Sequence, residues 1–141
     1  MNKAADIEYS CIEIGSEYSF EKEISYRDIM DFAGLTGDFN PLHTDKEFGM
    51  KSKFKNNIVH GMLAGSLFST LVGMYCPGKN SLYLSQSLQF RNVIFPGDKV
   101  LVRGTVVDKN ESIKVITMKT EVLVHDKIAV RGEAKVRVLE D

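Results

Sequence analysis

Residues 32–75 read FAGLTGDFNPLHTDKEFGMKSKFKNNIVHGMLAGSLFSTLVGMY, and two different kinds of chain meet in them. The first half is rich in turn residues. Gly37, Asp38, Asn40 and Pro41 cannot carry a helix forward, and Asn40 is pushed out of the helical region by the proline after it. The second half, from Ile58 to Tyr75, has the pattern of a helix that is apolar almost all round. Val59, Met62, Leu63, Leu67, Leu71 and Met74 line one broad face, while Ala64, Gly65, Phe68, Val72 and Gly73 fill much of the rest. Such a helix is expected to be covered on most sides. His60 and Gly61 fall in its first turn, and Pro77-Gly78 ends it. Interrupted by Gly65, Ser66, Ser69, Thr70 and Gly73, it is too short and too broken to span a bilayer.

On the N-terminal side, Ser25 stands before YRDIMDFAGLTG with Asp28 three positions on, a capping-box spacing. Ile29, Phe32 and Ala33 give the stripe and Gly37 the stop, which predicts a helix over residues 26–36. Before it, an edge strand is expected around Tyr18–Phe20, and residues 1–11 read as a loose or docking terminus. Thr44 or Asp45 is placed to cap a short turn over residues 46–50. Residues 51–57 read as a polar connection around a more buried Phe54.

On the C-terminal side the period changes to two. Leu82, Leu84, Leu88 and Phe90 share one face, and Tyr83, Ser85, Ser87 and Gln89 the other. Turns at residues 95–98, 108–111 and 125–127 then separate strands over 100–107, 113–124 and the C-terminal segment. In the last, Ile128, Val130, Ala134, Val136 and Val138 point to the core, with Lys127, Arg131, Glu133, Lys135 and Arg137 opposite. The result is an α+β domain over residues 1–141, with an antiparallel sheet of about five strands curled around one apolar helix. That is the hot dog arrangement, and its uncovered edges lead us to expect a homodimer.

With 141 residues the chain is long enough for one self-supporting core. The net charge of −1 and scattered basic residues give no basis for a nucleic-acid or membrane partner. Cys11 and Cys76 show neither metal spacing nor a disulfide framework. The N-terminus lacks a basic-then-apolar leader pattern, so a reducing, cytoplasmic setting is expected.

Asp38 and His43 are five positions apart on the turn-rich loop. If they converge, a carboxylate and an imidazole can hold and activate one water between them, with Asn40 fixing the loop. Taken singly, Asp38 equally suits an Asx cap and His43 a surface histidine. Gly61 offers a first-turn N–H without an intrahelical partner, at the positive end of the helix dipole. That suits a thioester oxygen gathering negative charge, although a glycine there also permits tight packing. His60 reads as structural or hydrogen-bonding rather than as a proton carrier. Ser69 reads as bonded back to its own helix, and His125 as solvated. Since phosphate loop, dinucleotide fingerprint and metal cluster are all lacking, any cofactor-like group is expected to arrive with the substrate.

The run FAGLTGDFNPLHTD followed by IVHGMLAGSLFS resembles the hydratase motif of the MaoC-like, (R)-specific enoyl-CoA hydratases. YLSQSLQFRNVIFPGDKV resembles the strand and turn that follow in those proteins. The resemblance covers residues 16–138. It implies hydration of a short- or medium-chain trans-2-enoyl-CoA and the reverse dehydration, with Asp38 and His43 as the catalytic pair. It further implies Gly61 as the carbonyl donor, Asn40 and Ser69 as supports of the loop, and no cofactor, CoA being part of the substrate. A hot dog thioesterase and a non-catalytic acyl-CoA binding module are the rival readings. The absence of Asp and Glu from residues 58–75 speaks against the first, and the intact pair against the second.

Overall fold

The computed structural model describes residues 3–140; Met1, Asn2 and Asp141, part of the expected terminal segments, lie outside them. Strand β1 (Glu17–Glu23) leads into helix α1 (Tyr26–Thr36), followed by two short helices, α2 (Pro41–Thr44) and α3 (Lys46–Lys51). The apolar helix α4 (Gly61–Thr70) runs into a wider π-turn over Leu71–Tyr75. Strands β2 (Ser81–Gln86), β3 (Gln89–Phe90), β4 (Lys99–Asn110), β5 (Val115–Val124) and β6 (Lys127–Val138) complete the chain. All pairings are antiparallel in the order β1-β4-β5-β6-β2, with β3 also on β6.

Helix α1 is specified locally. The Ser25 hydroxyl accepts from the Asp28 amide at 3.0 Å, and the Asp28 carboxylate accepts from the Ser25 amide at 2.9 Å. Two free helix-end donors are thereby satisfied. At the other end Gly37 takes the left-handed conformation, φ 85°, and its N–H bonds Ala33 O. Glycine reaches that region without the Cβ penalty other residues carry.

The sheet curls over α4. Phe68 and Leu71 pack with Val100, Val102, Val122 and Val130, while Val72 and Cys76 pack with Val106, Ile116, Met118 and Val136. Burial pushes the Cys76 thiol up to about 11, more than its hydrogen bond with Tyr18 brings it down. Of the two readings of the N-terminal segment, loose or docking, the described residues take the second: Tyr9 and Ile12 are buried, and Lys109 Nζ donates to Ile12 O at 2.6 Å and Tyr9 O at 3.1 Å.

Four expectations are corrected. Helix α4 starts at Gly61 rather than Ile58, because Asn57, Ile58 and His60 bond the neighbouring loop and the Val59 amide donates to Ile94 O. The helix is also not covered all round: Met62, Ser66 and Ser69 are exposed. Nor does the apolar face of β2 and β3 supply the core. Leu88 packs inward, but Leu82, Leu84 and Phe90 are 45%, 46% and 53% exposed, and a register shift between Tyr83 and Ser85 accompanies the change. The hairpin turn expected at 108–111 lies at 111–114, so β4 extends three residues further at its C-terminal end than anticipated. No helix among the described residues is long and apolar enough to cross a membrane.

Candidate active site

The loop between α1 and α2 is built from its own short-range bonds. Asp38 Oδ1 accepts from the Asn40 amide at 3.2 Å, and Asn40 Oδ1 accepts from the Leu42 amide at 3.0 Å, which makes Asn40 the N-cap of α2. Pro41 occupies the first helical turn, where its missing N–H costs nothing. Asp38 is therefore both an Asx cap through one carboxylate oxygen and an exposed carboxylate through the other.

Helix α2 carries His43, and its ring is fixed by a main-chain partner. His43 Nδ1 lies 2.8 Å from Ile58 O. A carbonyl only accepts, so Nδ1 carries the hydrogen, and in the neutral ring the lone pair is left on Nε2, the form a base requires. His43 also stacks on His60, centroids 4.0 Å apart and planes at 29°. His60 is the N-cap residue of α4, and its Nε2 lies 3.1 Å from Asp38 O. A carboxylate oxygen of Asp38 and one ring nitrogen each from His43 and His60 lie within 4.8 Å of one another. A water making two hydrogen bonds of roughly 2.8 Å spans such a gap.

Three potential metal ligands meet here. Each imidazole has one nitrogen committed to a main-chain carbonyl. The nitrogens that remain, His43 Nε2 and His60 Nδ1, belong to rings stacked on one another, and His60 Nδ1 is buried.

Gly61, the residue after His60, begins α4 and lines a cavity of about 430 Å³. Ile58, Met62, Phe90, Arg91 and Asn92 also line it. Asp38 and His43 do not. They connect to it through Ile58, which accepts from His43, and through His60, which precedes Gly61 in the chain. The structure thus brings Asp38, His43 and Asn40 together and sets Gly61 one residue from a ring that touches both members of the pair. Ser69 stands apart. It is exposed on α4, and its hydroxyl makes no hydrogen bond to the loop or to its own helix among the described residues, whereas Ser66 Oγ bonds Leu63 O at 2.6 Å.

One residue of the assembly has no signal in the sequence. Asn57 is 2% exposed, and its Nδ2 donates toward Asp45 O at 2.8 Å, Leu42 O at 3.0 Å and Pro41 O at 3.3 Å. It straps α2 to the segment entering α4. The polar run around it reads as solvated, and nothing in its spacing sets it apart from Asn56.

A curved antiparallel sheet on one helix, with an Asp–His pair on the loop before it and a glycine amide at its start, defines a hot dog protein of the hydratase type. The chain belongs to the MaoC-like dehydratase family: the model for the MaoC like domain matches residues 11–128. It is 40% identical over 128 residues to the (R)-specific enoyl-CoA hydratase of Aeromonas caviae, covering 90% of this chain and 96% of the relative. To the (R)-specific enoyl-CoA hydratase of Rhodospirillum rubrum it is 37% identical, covering 90% and 88%. The solved structure of R-hydratase PhaJ1 from Pseudomonas aeruginosa superposes with a TM-score of 0.93 at 33% identity, over 98% of this chain and 89% of that one. The (R)-hydratase from A. caviae involved in PHA biosynthesis superposes at 0.89, over 91% and 98%.

Proposed function

We propose that this protein adds water across a short- or medium-chain trans-2-enoyl-CoA to give the (R)-3-hydroxyacyl-CoA, and runs the reverse dehydration. One observation carries the reading: Asp38 and His43 converge on a space the width of a water, against the ring that precedes the Gly61 amide. In this reading the Gly61 N–H holds the thioester oxygen and draws electron density from C3. Water held between Asp38 and His43 attacks C3. One of its protons passes to the pair and a proton is returned to C2, so that H and OH are added in sum. The CoA belongs to the substrate, and no further cofactor is invoked.

Helix α4, GMLAGSLFST, carries no carboxylate. This supports hydration over the thioesterase alternative, which the resemblance associates with an acid on or near that helix. An intact, ordered pair speaks against a purely binding role.

A homodimer belongs to the same proposal. The exposed side chains Leu82, Leu84 and Phe90 on the β2–β3 side and Met62 on α4 form apolar surface that a second copy would cover, and Met62 and Phe90 also edge the cavity. Two unpaired cysteines, one deeply buried, support the cytoplasmic setting.

The test is hydration of crotonyl-CoA by the purified protein, read as loss of enoyl absorbance with chiral analysis of the product. Formation of (R)-3-hydroxybutyryl-CoA supports the proposal. Free-thiol release in its place assigns a thioesterase, and tight binding without turnover a binding module.

A further inference from the structure

His60 is an expensive residue where it stands. It is 2% exposed, and its Nδ1 is buried without a hydrogen-bond partner. An unmade bond of that kind leaves the desolvation of the nitrogen uncompensated. The position does not call for it as a cap, because His60 makes no side-chain capping bond and helix N-caps favour Ser, Thr, Asp or Asn. A phenylalanine would fill the same space with no stranded nitrogen.

What the imidazole supplies is found on its other atoms. Nε2 donates to Asp38 O at 3.1 Å. Among the described residues, every other hydrogen bond of residues 38–40 runs to a partner no more than five positions away, outside the loop to Thr36, Gly37, Leu42, His43 and Thr44. The His60 bond, from a residue 22 positions on, ties this exposed loop to the body of the fold. One face of the ring lies against His43, and Phe32 of α1 tilts against it at 4.9 Å and 59°. His60 thus touches the main chain of one member of the pair and the ring of the other.

We infer that His60 is a positioning residue, which sets the Asp38 carboxylate against the His43 imidazole by holding the loop on Nε2–H and the His43 ring on its face. The two stacked histidines are then locked in opposite tautomers, His43 as Nδ1–H and His60 as Nε2–H, because each points its hydrogen at a main-chain carbonyl. The kinetic part of this inference rests on the proposed hydration; the structural part does not.

His60→Phe separates this role from packing. It keeps the aromatic face, removes the stranded Nδ1 and deletes the donor to Asp38. The expected result is a melting temperature equal to or above wild type, with kcat lowered roughly 10- to 100-fold and KM changed less than about threefold. Amide exchange over residues 38–42 should be faster, and nitrogen-15 spectra of the wild type should show the two opposite tautomers. Wild-type kcat and loop protection in His60→Phe would overturn the inference, as would a His60 in the Nδ1–H form. If the wild type proves inactive on every enoyl-CoA, the hydratase reading fails instead. The tautomers and the loop exchange then still decide the inference about His60.

Discussion

A Cβ built on Gly61 falls 2.8 Å from Cε1 of Phe90, closer than real side-chain carbons approach. Phe90 is 53% exposed, so its ring has room to yield and the fold has little reason to fail. The methyl would instead crowd the amide proposed to receive the thioester oxygen. Gly61→Ala should therefore melt within a few degrees of wild type while kcat/KM falls at least about tenfold, the lower edge of what disturbing an oxyanion donor costs. Adding Phe90→Leu should relieve the contact without restoring the rate. Restored rate in the double variant would assign Gly61 to packing alone.

Asp38→Asn and His43→Gln each remove one side of the water site. Loss of a positioned acid–base group costs on the order of 10²–10⁴ in rate, and both variants should show it in kcat by crotonyl-CoA hydration. Asp38→Asn keeps an oxygen for the Asn40 amide and should melt like wild type. His43→Gln loses the stack on His60 and should melt a few degrees lower. Wild-type-like rates in both would remove the pair from the mechanism.

Asn57→Leu deletes one amide that serves three carbonyls, those of Pro41, Leu42 and Asp45. At about 1 kcal/mol net per bond, plus stranded acceptors, the expected loss is roughly 2–4 kcal/mol in urea denaturation. Asn57→Asp should be worse at neutral pH than at acid pH, since it turns a carboxylate toward those oxygens. Stability equal to wild type in both would show that the strap contributes nothing.

The α1 capping box makes a pH-dependent contribution. Burial pushes the Asp28 carboxyl up, but the Ser25 amide and the Lys22 ammonium outweigh it and hold Asp28 below its ordinary value near 3.8. A depressed folded-state value means the stabilisation is complete above about pH 4 and is lost as pH falls through the lower folded value. Asp28→Asn should cost about 0.5–2 kcal/mol at pH 7, the range for a lost cap. The gap to wild type should narrow as pH is lowered below about 4, measured by denaturant titration at pH 7 and at acid pH. An unchanged gap would place the effect elsewhere.

Leu84→Arg puts a charge on the apolar face of the edge strand β2, where Leu84 is 46% exposed. Wild type is expected to sediment as a dimer and Leu84→Arg as a folded monomer with reduced activity, because Phe90 on the same side borders the cavity. A wild-type monomer in sedimentation would discard the dimer proposal.

Most of the secondary structure, and the identity of the loop, can be read from residues close together in the chain. Ser25, Asp28 and Gly37 set both ends of α1 through contacts within three or four residues, so that helix is legible from spacing. The alternation of β6 is likewise local, and Val130, Ala134, Val136 and Val138 are buried as the period of two requires. Asp38, Asn40 and His43 stand out because Gly and Pro around them leave no regular structure to explain them. The remaining features depend on partners far along the chain. Alternation shows that Leu82, Leu84 and Phe90 share a face, not that this face turns outward. The tautomer of His43 is set by Ile58, 15 positions away, and the burial of Asn57 by carbonyls 12 to 16 positions away. Local propensity has no term for a carbonyl that arrives only when two segments pack. Residues 32–75 therefore announced a loop and a helix, and folding decided that a buried histidine would join them.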